Sequence, residues 1–547
     1  MPPLPRQKDG VVTTGPEGGA REEQLLEPLL SDENATASPA EDRNINNDEK
    51  DIVVRNCCKG GGDDDAENET GVLMRVNHNV FLNLALSALY GISQSLWSGT
   101  AYVAYLKKVG HNSNGPVGDI EAVSGLASLV CALPIGYLAD KIGRSIVIRA
   151  GGILLLCTSI LQIGILEWVG TDFDHGDGNG DSVLFEGSHA EDQKQNLALW
   201  LMGGIMVFWG LGDGVVNGPC QALFADSTPE GDRSTYFTYQ FVCYITASAV
   251  GPLVSIVLFQ TLGDEWDMYH LRIVIYVGLG MEVFNAGLMM LFDDSKALDE
   301  VETGGDDTDE ESSSPELSSL QKRQEWIPYI IFAHSIISSL GSGMTVKFFP
   351  LFFKDEVGMT PSQVQLIYCL VPLMLVVLSA LCTKIAKSGF GRVQTSIVYY
   401  VVGISLLLTM VFCKSYLDDH PFLLVPIYVM RTGLMNAPYP QEESILMDFV
   451  PKDKRARWKS LDSIATFGWC GSAALGGYIA DKYDYTHTFM LTAIFQTVSV
   501  GVYCLLLPLV PRVEGSQLAE DAELAPPQQN EDDEQEDALT ELSEPLL

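Results

Sequence analysis

Apolar stretches of about 20 residues recur along most of this 547-residue chain, and no other feature constrains its fold as tightly. A helix of that length rises roughly 30 Å, which matches the hydrocarbon core of a bilayer. The runs are continuously apolar rather than alternating, which excludes a membrane β-barrel. Six runs lie near 79–106, 119–139, 145–168, 196–225, 236–262 and 271–292. Six more lie near 326–352, 361–387, 393–413, 421–449, 460–481 and 487–510. The expected class is all-α: a polytopic membrane protein of about twelve transmembrane helices in two six-helix bundles.

Composition sharpens the division. The chain is 47% hydrophobic and carries 71 Asp and Glu against 33 Lys and Arg, a formal charge of −38. That charge concentrates outside the apolar runs: about −9 in 1–76, about −8 in 293–324 and about −11 in 512–547. The expected domains are an acidic tail at 1–76, a first bundle at 77–292, an acidic linker at 293–324, a second bundle at 325–511 and an acidic tail at 512–547. No basic surface exists to neutralise phosphates, so nucleic acid is excluded as a partner. The partner dictated by the apolar runs is the lipid bilayer.

Lys and Arg near the span ends gather on one side, including Lys141, Arg144, Arg149, Lys384, Arg392, Lys454 and Arg457. The positive-inside rule then places both termini and the linker in the cytoplasm. Asn34 and Asn68 match the glycosylation pattern but fall on that same side. The eleven cysteines show no C-x-x-C pair and no zinc spacing, and most sit inside apolar runs as packing residues. Cys57-Cys58 precedes the first run, where S-palmitoylation is a weaker option. Asp177-Gly-Asn179-Gly-Asp181 starts like a calcium loop, but Ser182 and Ser188 replace the turn glycine and the bidentate glutamate. No metal site, cofactor loop or nucleophile constellation points to an enzyme. Glu27-Pro-Leu-Leu30 and Glu544-Pro-Leu-Leu547 are loosely similar to acidic dileucine signals. They suggest sorting adaptors on the tails and lean toward endosomal or vacuolar membranes over the plasma membrane.

The two halves repeat one pattern. Span 4 ends Asp226-Ser-Thr-Pro229-Glu-Gly-Asp-Arg233, and span 10 ends Asp448-Phe-Val-Pro451-Lys-Asp-Lys-Arg455. Both read D-x-x-P-x-x-x-R at a helix end. After span 2 the chain reads Gly136-Tyr-Leu-Ala-Asp140-Lys-Ile-Gly143-Arg144. This resembles the signature loop of the major facilitator superfamily, G-x-L-a-D-r-x-G-R, at the place where that family carries it. The resemblance covers about residues 75–512 and implies two six-helix bundles rocking around a central site. It also implies that Asp140 and Arg144 hold the cytoplasmic side closed, with Asp140 accepting from a helix N-terminus and Gly136 allowing close helix approach. The second half keeps only a degraded copy, Lys384-Ile-Ala-Lys387-Ser-Gly389-Phe-Gly391-Arg392, which predicts an asymmetric gate. Gly251-Pro252 is similar to an element of the family's antiporters.

Ionisable residues inside spans are costly and mark solute or ion paths. Span 4 holds Asp213, span 6 Glu282, span 7 His334 and Lys347, and span 10 Arg431, Glu442 and Glu443. Span 1 offers Gln94 instead. In the resembled family spans 1, 4, 7 and 10 line the cavity. Asp213 and Asn217 share a helix face, as do Arg431 and Glu442 at regular spacing. Arg431 with Asp213 is the expected pair between bundles. Asp213, Glu442 and Glu443 are the expected coupling carboxylates. Other readings stay open: Glu282 at a polar helix interface, Lys347 snorkelling outward, His334 as a packed histidine.

These features imply a secondary active transporter of a small solute by alternating access, proton-coupled and leaning to antiport or efflux. A symporter or uniporter of nutrients or organic anions is the alternative within transport. A non-transporting sensor or adaptor that kept the fold is the alternative outside it.

Overall fold

The computed structural model describes residues 77–173, 189–229, 233–298, 323–450, 458 and 462–512. Asn34, Asn68, Cys57, Cys58, the dileucine segments, the 177–181 loop, Pro451 and Arg455 lie outside the described residues, as does the side chain of Arg233. All regular structure among the described residues is helical.

Among the described residues, twelve helical passes follow one another. The first half has α1 His78–Val109, α2 Gly115–Ile142, α3 Arg144–Phe173, α4 His189–Asp226, α5 Thr235–Leu262 and α6 Met268–Met289. The second has α7 Ile327–Asp355, α8 Pro361–Ile385, α9 Arg392–Phe412, α10 Pro421–Asn436 continued by Tyr439–Phe449, α11 Asp462–Lys482 and α12 Tyr485–Tyr503. Among the described residues, nine of these are long and apolar enough to cross a membrane, and α2 makes ten if its bent halves are one span. The exceptions, α10 and α11, are those interrupted by proline or enriched in polar residues. Alternation puts the 140–145 and 386–391 loops on one face with the start of α1, called here the terminal face. The opposite face is the far face.

The surface has the character that lipid requires. Ile153, Ile160, Val257, Phe284 and Val377 are exposed in mid-helix, and a helix apolar on all sides is at rest only in a core or a bilayer. Inside, Trp97 packs on Trp209 at 4.7 Å, and Gln162 accepts from the Trp209 indole at 2.6 Å. In the second half Phe349, Phe353, Tyr428 and Phe489 form a buried aromatic cluster.

The halves meet most extensively along α2 and α11. A Cβ at Gly118 would stand 2.2 Å from the Ala473 carbonyl oxygen, so only glycine permits that approach. Further along α2 the contact is lost. At Gly136 a Cβ would meet open space, and Tyr137 and Leu138 are exposed. The expected close-packing role of Gly136 is therefore not met in this state, because the terminal half of α2 stands away from its neighbours.

Candidate functional site: a cavity on the terminal side and a sealed far face

A cavity of about 500 Å³ lies in the second half. It runs from Pro328 and Leu446, near the terminal face, to Ser339 and Trp469 at mid-depth. Its wall combines Ser335 of α7 with Tyr439, Glu442 and Glu443 of α10 and with Trp458. The helix break at Ala437-Pro438 delivers the two glutamates: α10 stops at Asn436 and restarts at Tyr439 with Pro440 in its first turn. Such a break also undoes the regular spacing from Arg431 to Glu442.

Glu442 is held by two partners. The Tyr400 hydroxyl donates to its Oε1, and His334 Nε2 lies 3.0 Å from the same oxygen. The buried His334 ring is oriented from behind, with Nδ1 3.0 Å from the Ser499 carbonyl and 2.8 Å from the Ser499 hydroxyl. A carbonyl can only accept, which assigns a proton to Nδ1. Nε2 is then the ring nitrogen that faces Glu442, where a proton can come from either partner. Tyr503 closes the far side of the ring, with centroids 4.7 Å apart.

In the first half Asp213 accepts from the Tyr90 hydroxyl at 3.1 Å. Asn217, one turn on, is exposed, and Gln94 is half-buried with its carbonyl accepting from Ser98. Glu282 is buried between α1 and α6, taking bonds from Ser93 at 2.5 Å and Asn285 at 3.0 Å. This is the polar-interface reading of that residue.

Arg431 does not pair with Asp213. It is buried within the second half, bonds Gln496 at 3.3 Å and lies 5.5 Å over the Phe349 ring. The expected inter-bundle pair is thus replaced, because Asp213 already has Tyr90 and Arg431 is enclosed by its own bundle. Charge pairs that do cross the halves include Lys347 with Glu121 of α2, at 3.2 Å. Lys347 is thereby anchored inward rather than snorkelling outward. Sequence reasoning passed over Glu121, although an acid inside an apolar run is the signal that flagged its peers.

On the terminal face the signature loop is built differently from expectation. Arg144 pairs with Asp226 of α4, while Asp140 is exposed and 3.5 Å from Arg144. Asp140 does not cap a helix here. That task falls to Asp294, just after α6, which accepts from the Ser145 amide at 2.9 Å and the Ser145 hydroxyl at 2.8 Å. Gly143 has φ +104, and a Cβ there would lie 2.8 Å from Asp294 Oδ2, so glycine is required twice over. The second half repeats the motif in part. Arg392 follows Gly391, at φ +100, and pairs with Asp448 at 2.6 Å and Ser444 at 2.8 Å. The signature-loop arginine thus joins the D-x-x-P-x-x-x-R aspartate in both halves. The degraded copy loses its acid but keeps this pair.

The far face is sealed. Lys107 meets Asp355 at 2.5 Å and the Tyr485 hydroxyl at 2.8 Å, joining α1, α7 and α12. Among the described residues no group of three or more His, Cys, Asp or Glu could hold a metal ion.

The family model for the Major Facilitator Superfamily matches residues 84–430 and 331–543. The chain belongs to this superfamily. It is a multi-pass membrane protein of a family of transporters that move small molecules, not of enzymes. Among curated proteins none matches by sequence. Solved structures share the fold at low identity. A D-xylose-proton symporter is 13% identical, with TM-score 0.55, over 80% of this chain and 98% of that one. A bacterial homologue of the iron transporter ferroportin, in its inward-facing state, is 13% identical, with TM-score 0.54, over 78% and 98%. A bacterial metal transporter is 12% identical, with TM-score 0.54, over the same shares.

Proposed function

We propose that this protein is a proton-coupled secondary transporter that works by alternating access, with the terminal face toward the cytoplasm. The observation that carries the reading is Glu442: it lines the cavity and lies 3.0 Å from a histidine oriented from behind. A cation or hydrogen-bond donor of the solute that engages Glu442 competes with His334 for the same oxygen. Solute and proton then exclude each other, which is the logic of antiport. The close approach of Gly251 to α1, with a Cβ 2.9 Å from the Ile92 carbonyl, fits a rigid element at the antiporter-like position. Asp213 with Tyr90 is the corresponding acid of the first half. Glu443 adds a second carboxylate to the wall, and Arg144 with Asp226 and Asp140 supplies the gate on the cytoplasmic side.

Reconstituted vesicles carrying a pH-sensitive dye test this. Sugars, organic anions, amino acids, metals and organic cations are added in turn under an imposed pH gradient. The expected result is a solute whose addition moves protons in the parent and not in Glu442→Gln. Solute flux that keeps its full rate and pH dependence in both Glu442→Gln and Asp213→Asn would overturn the coupling.

A further inference from the structure

Two aspartates on the far face make the same unusual contact in mirrored positions. Asp481, in the last turn of α11, reaches across to the start of α2. It accepts from the Asn114 amide at 2.7 Å, the Gly115 amide at 2.8 Å, the Asn114 side chain at 2.8 Å and the Ser113 hydroxyl at 2.5 Å. Asp264, just past the end of α5, reaches across to the start of α8 and accepts from the Ser362 amide at 2.8 Å. Its neighbour Trp266 donates to the Met359 carbonyl at 2.8 Å. Exchanging the two halves adds six to a helix number, so α5 becomes α11 and α8 becomes α2. Each half thus uses its fifth helix to cap the second helix of the other.

The local chemistry explains why the caps come from across the interface. A helix start leaves amide donors unsatisfied and carries partial positive charge. Asn114 stands at the cap position of α2, but its side chain makes no capping bond. Its Oδ1 is occupied by the Tyr485 hydroxyl at 2.9 Å. The donors therefore go to Asp481. At α8, Thr360 takes only the Gln363 amide and leaves Ser362 for Asp264. Asp264 is held in place by a left-handed turn, with φ +50 following Gly263 at φ +136. Charge-assisted bonds of this kind are about twice as strong as neutral ones.

We propose that Asp264 and Asp481 are the positioning residues that hold the far face shut, as a reciprocal pair of latches between the halves. Opening the far face separates α11 from α2 and α5 from α8, so every one of these bonds must break at that step. The proposal rests on alternating access and not on proton coupling. Its test uses neither solute nor proton gradient, so its failure is distinct from failure of the coupling.

The test is hydrogen–deuterium exchange of the full chain in nanodiscs, comparing the parent with Asp264→Ala, Asp481→Ala and the double variant. Losing both latches shifts the ratio of far-open to far-closed states by roughly tenfold or more. Exchange then rises at 113–118 and 360–364 and falls along the cavity wall at 328–339 and 439–446, as the terminal face closes. A cap without a part in gating would raise exchange at the two helix starts and leave the terminal side unchanged or looser. That pattern overturns the proposal. The Ser113→Cys/Asp481→Cys chain repeats the comparison within one folded protein. Oxidised, it matches the parent; reduced, it shows slower exchange at 439–446. Equal exchange in both states also overturns the proposal.

Discussion

At the scale of single residues, the arrangement around Glu442 separates holding a proton from holding a shape. Tyr400 and His334 address the same carboxylate oxygen from two sides. The hydroxyl always donates, whereas the imidazole can either donate or accept. Removing the hydroxyl leaves the exchangeable partner in place. Tyr400→Phe is expected to retain proton-linked transport but to change its pH dependence, because the carboxylate keeps only its exchangeable partner. Vesicle flux across a pH series checks this, and an unchanged midpoint would remove Tyr400 from the coupling site. Ser499 acts one step further back, by fixing which ring nitrogen faces the glutamate.

At the scale of elements, the start of α3 shows how a segment that reads as solvated linker becomes part of the packed terminal face. Asp293 and Asp294 follow α6 directly. Asn79 donates to the Asp293 carbonyl at 2.8 Å, and Asp294 caps α3. Asp294→Ala removes that cap and should cost about 1 kcal/mol. Gly143→Ala meets both the positive φ and the Asp294 carboxylate and should cost about 1 to 2 kcal/mol. Thermal unfolding in detergent checks both, with Asp140→Ala as the near-neutral comparison for stability. The same segment has a pH signature. The Ser295 hydroxyl and amide bond the Asp293 carboxyl and hold it below the ordinary carboxylate range. A lowered folded value means that its stabilisation is present above the unfolded value and lost as pH falls through the lowered one. The melting-temperature gap between the parent and Asp293→Ala should therefore close toward strongly acidic pH.

At the scale of the whole molecule, the charged contacts between halves gather on one face. Lys107 with Asp355 and Lys347 with Glu121 hold the far side together, while the terminal half of α2 stands free. Glu121 and Lys347 are each largely buried, so removing one leaves the other uncompensated at a cost of about 3 kcal/mol. The double change to Gln and Met should recover much of that loss, giving a coupling energy above about 1 kcal/mol. Unfolding measurements on the four-member cycle test it, and additive losses would show that the pair does not hold the halves together. Lys347 also lies 5.7 Å over the Trp469 ring. Since Trp469 lines the cavity, this contact links the ion pair between the halves to the cavity wall.

Hydropathy determined the helices and their division into two sets of six, and the resemblance of the 136–144 loop to a known signature pointed to the superfamily, because each depends on residues close together in the chain. The repeated helix-end aspartates and the loop arginines stood out for the same reason, and His334, Lys347 and Glu442 stood out as candidates, since a charge inside an apolar run is conspicuous wherever it points. Partners were not legible. Arg431 and Asp213 looked matched by sign, yet each is bonded within its own bundle, Arg431 to Gln496 and Asp213 to Tyr90. Asp140 looked like the helix cap, yet Asp294 occupies that place from the other end of the half. Asp264 lies in a short polar turn and Asp481 in the last turn of α11, and no periodicity distinguishes either. Burial and hydrogen bonding are settled by which surfaces the folded bundles bring within about 3 Å, and that distance is a property of tertiary packing, not of position along the chain.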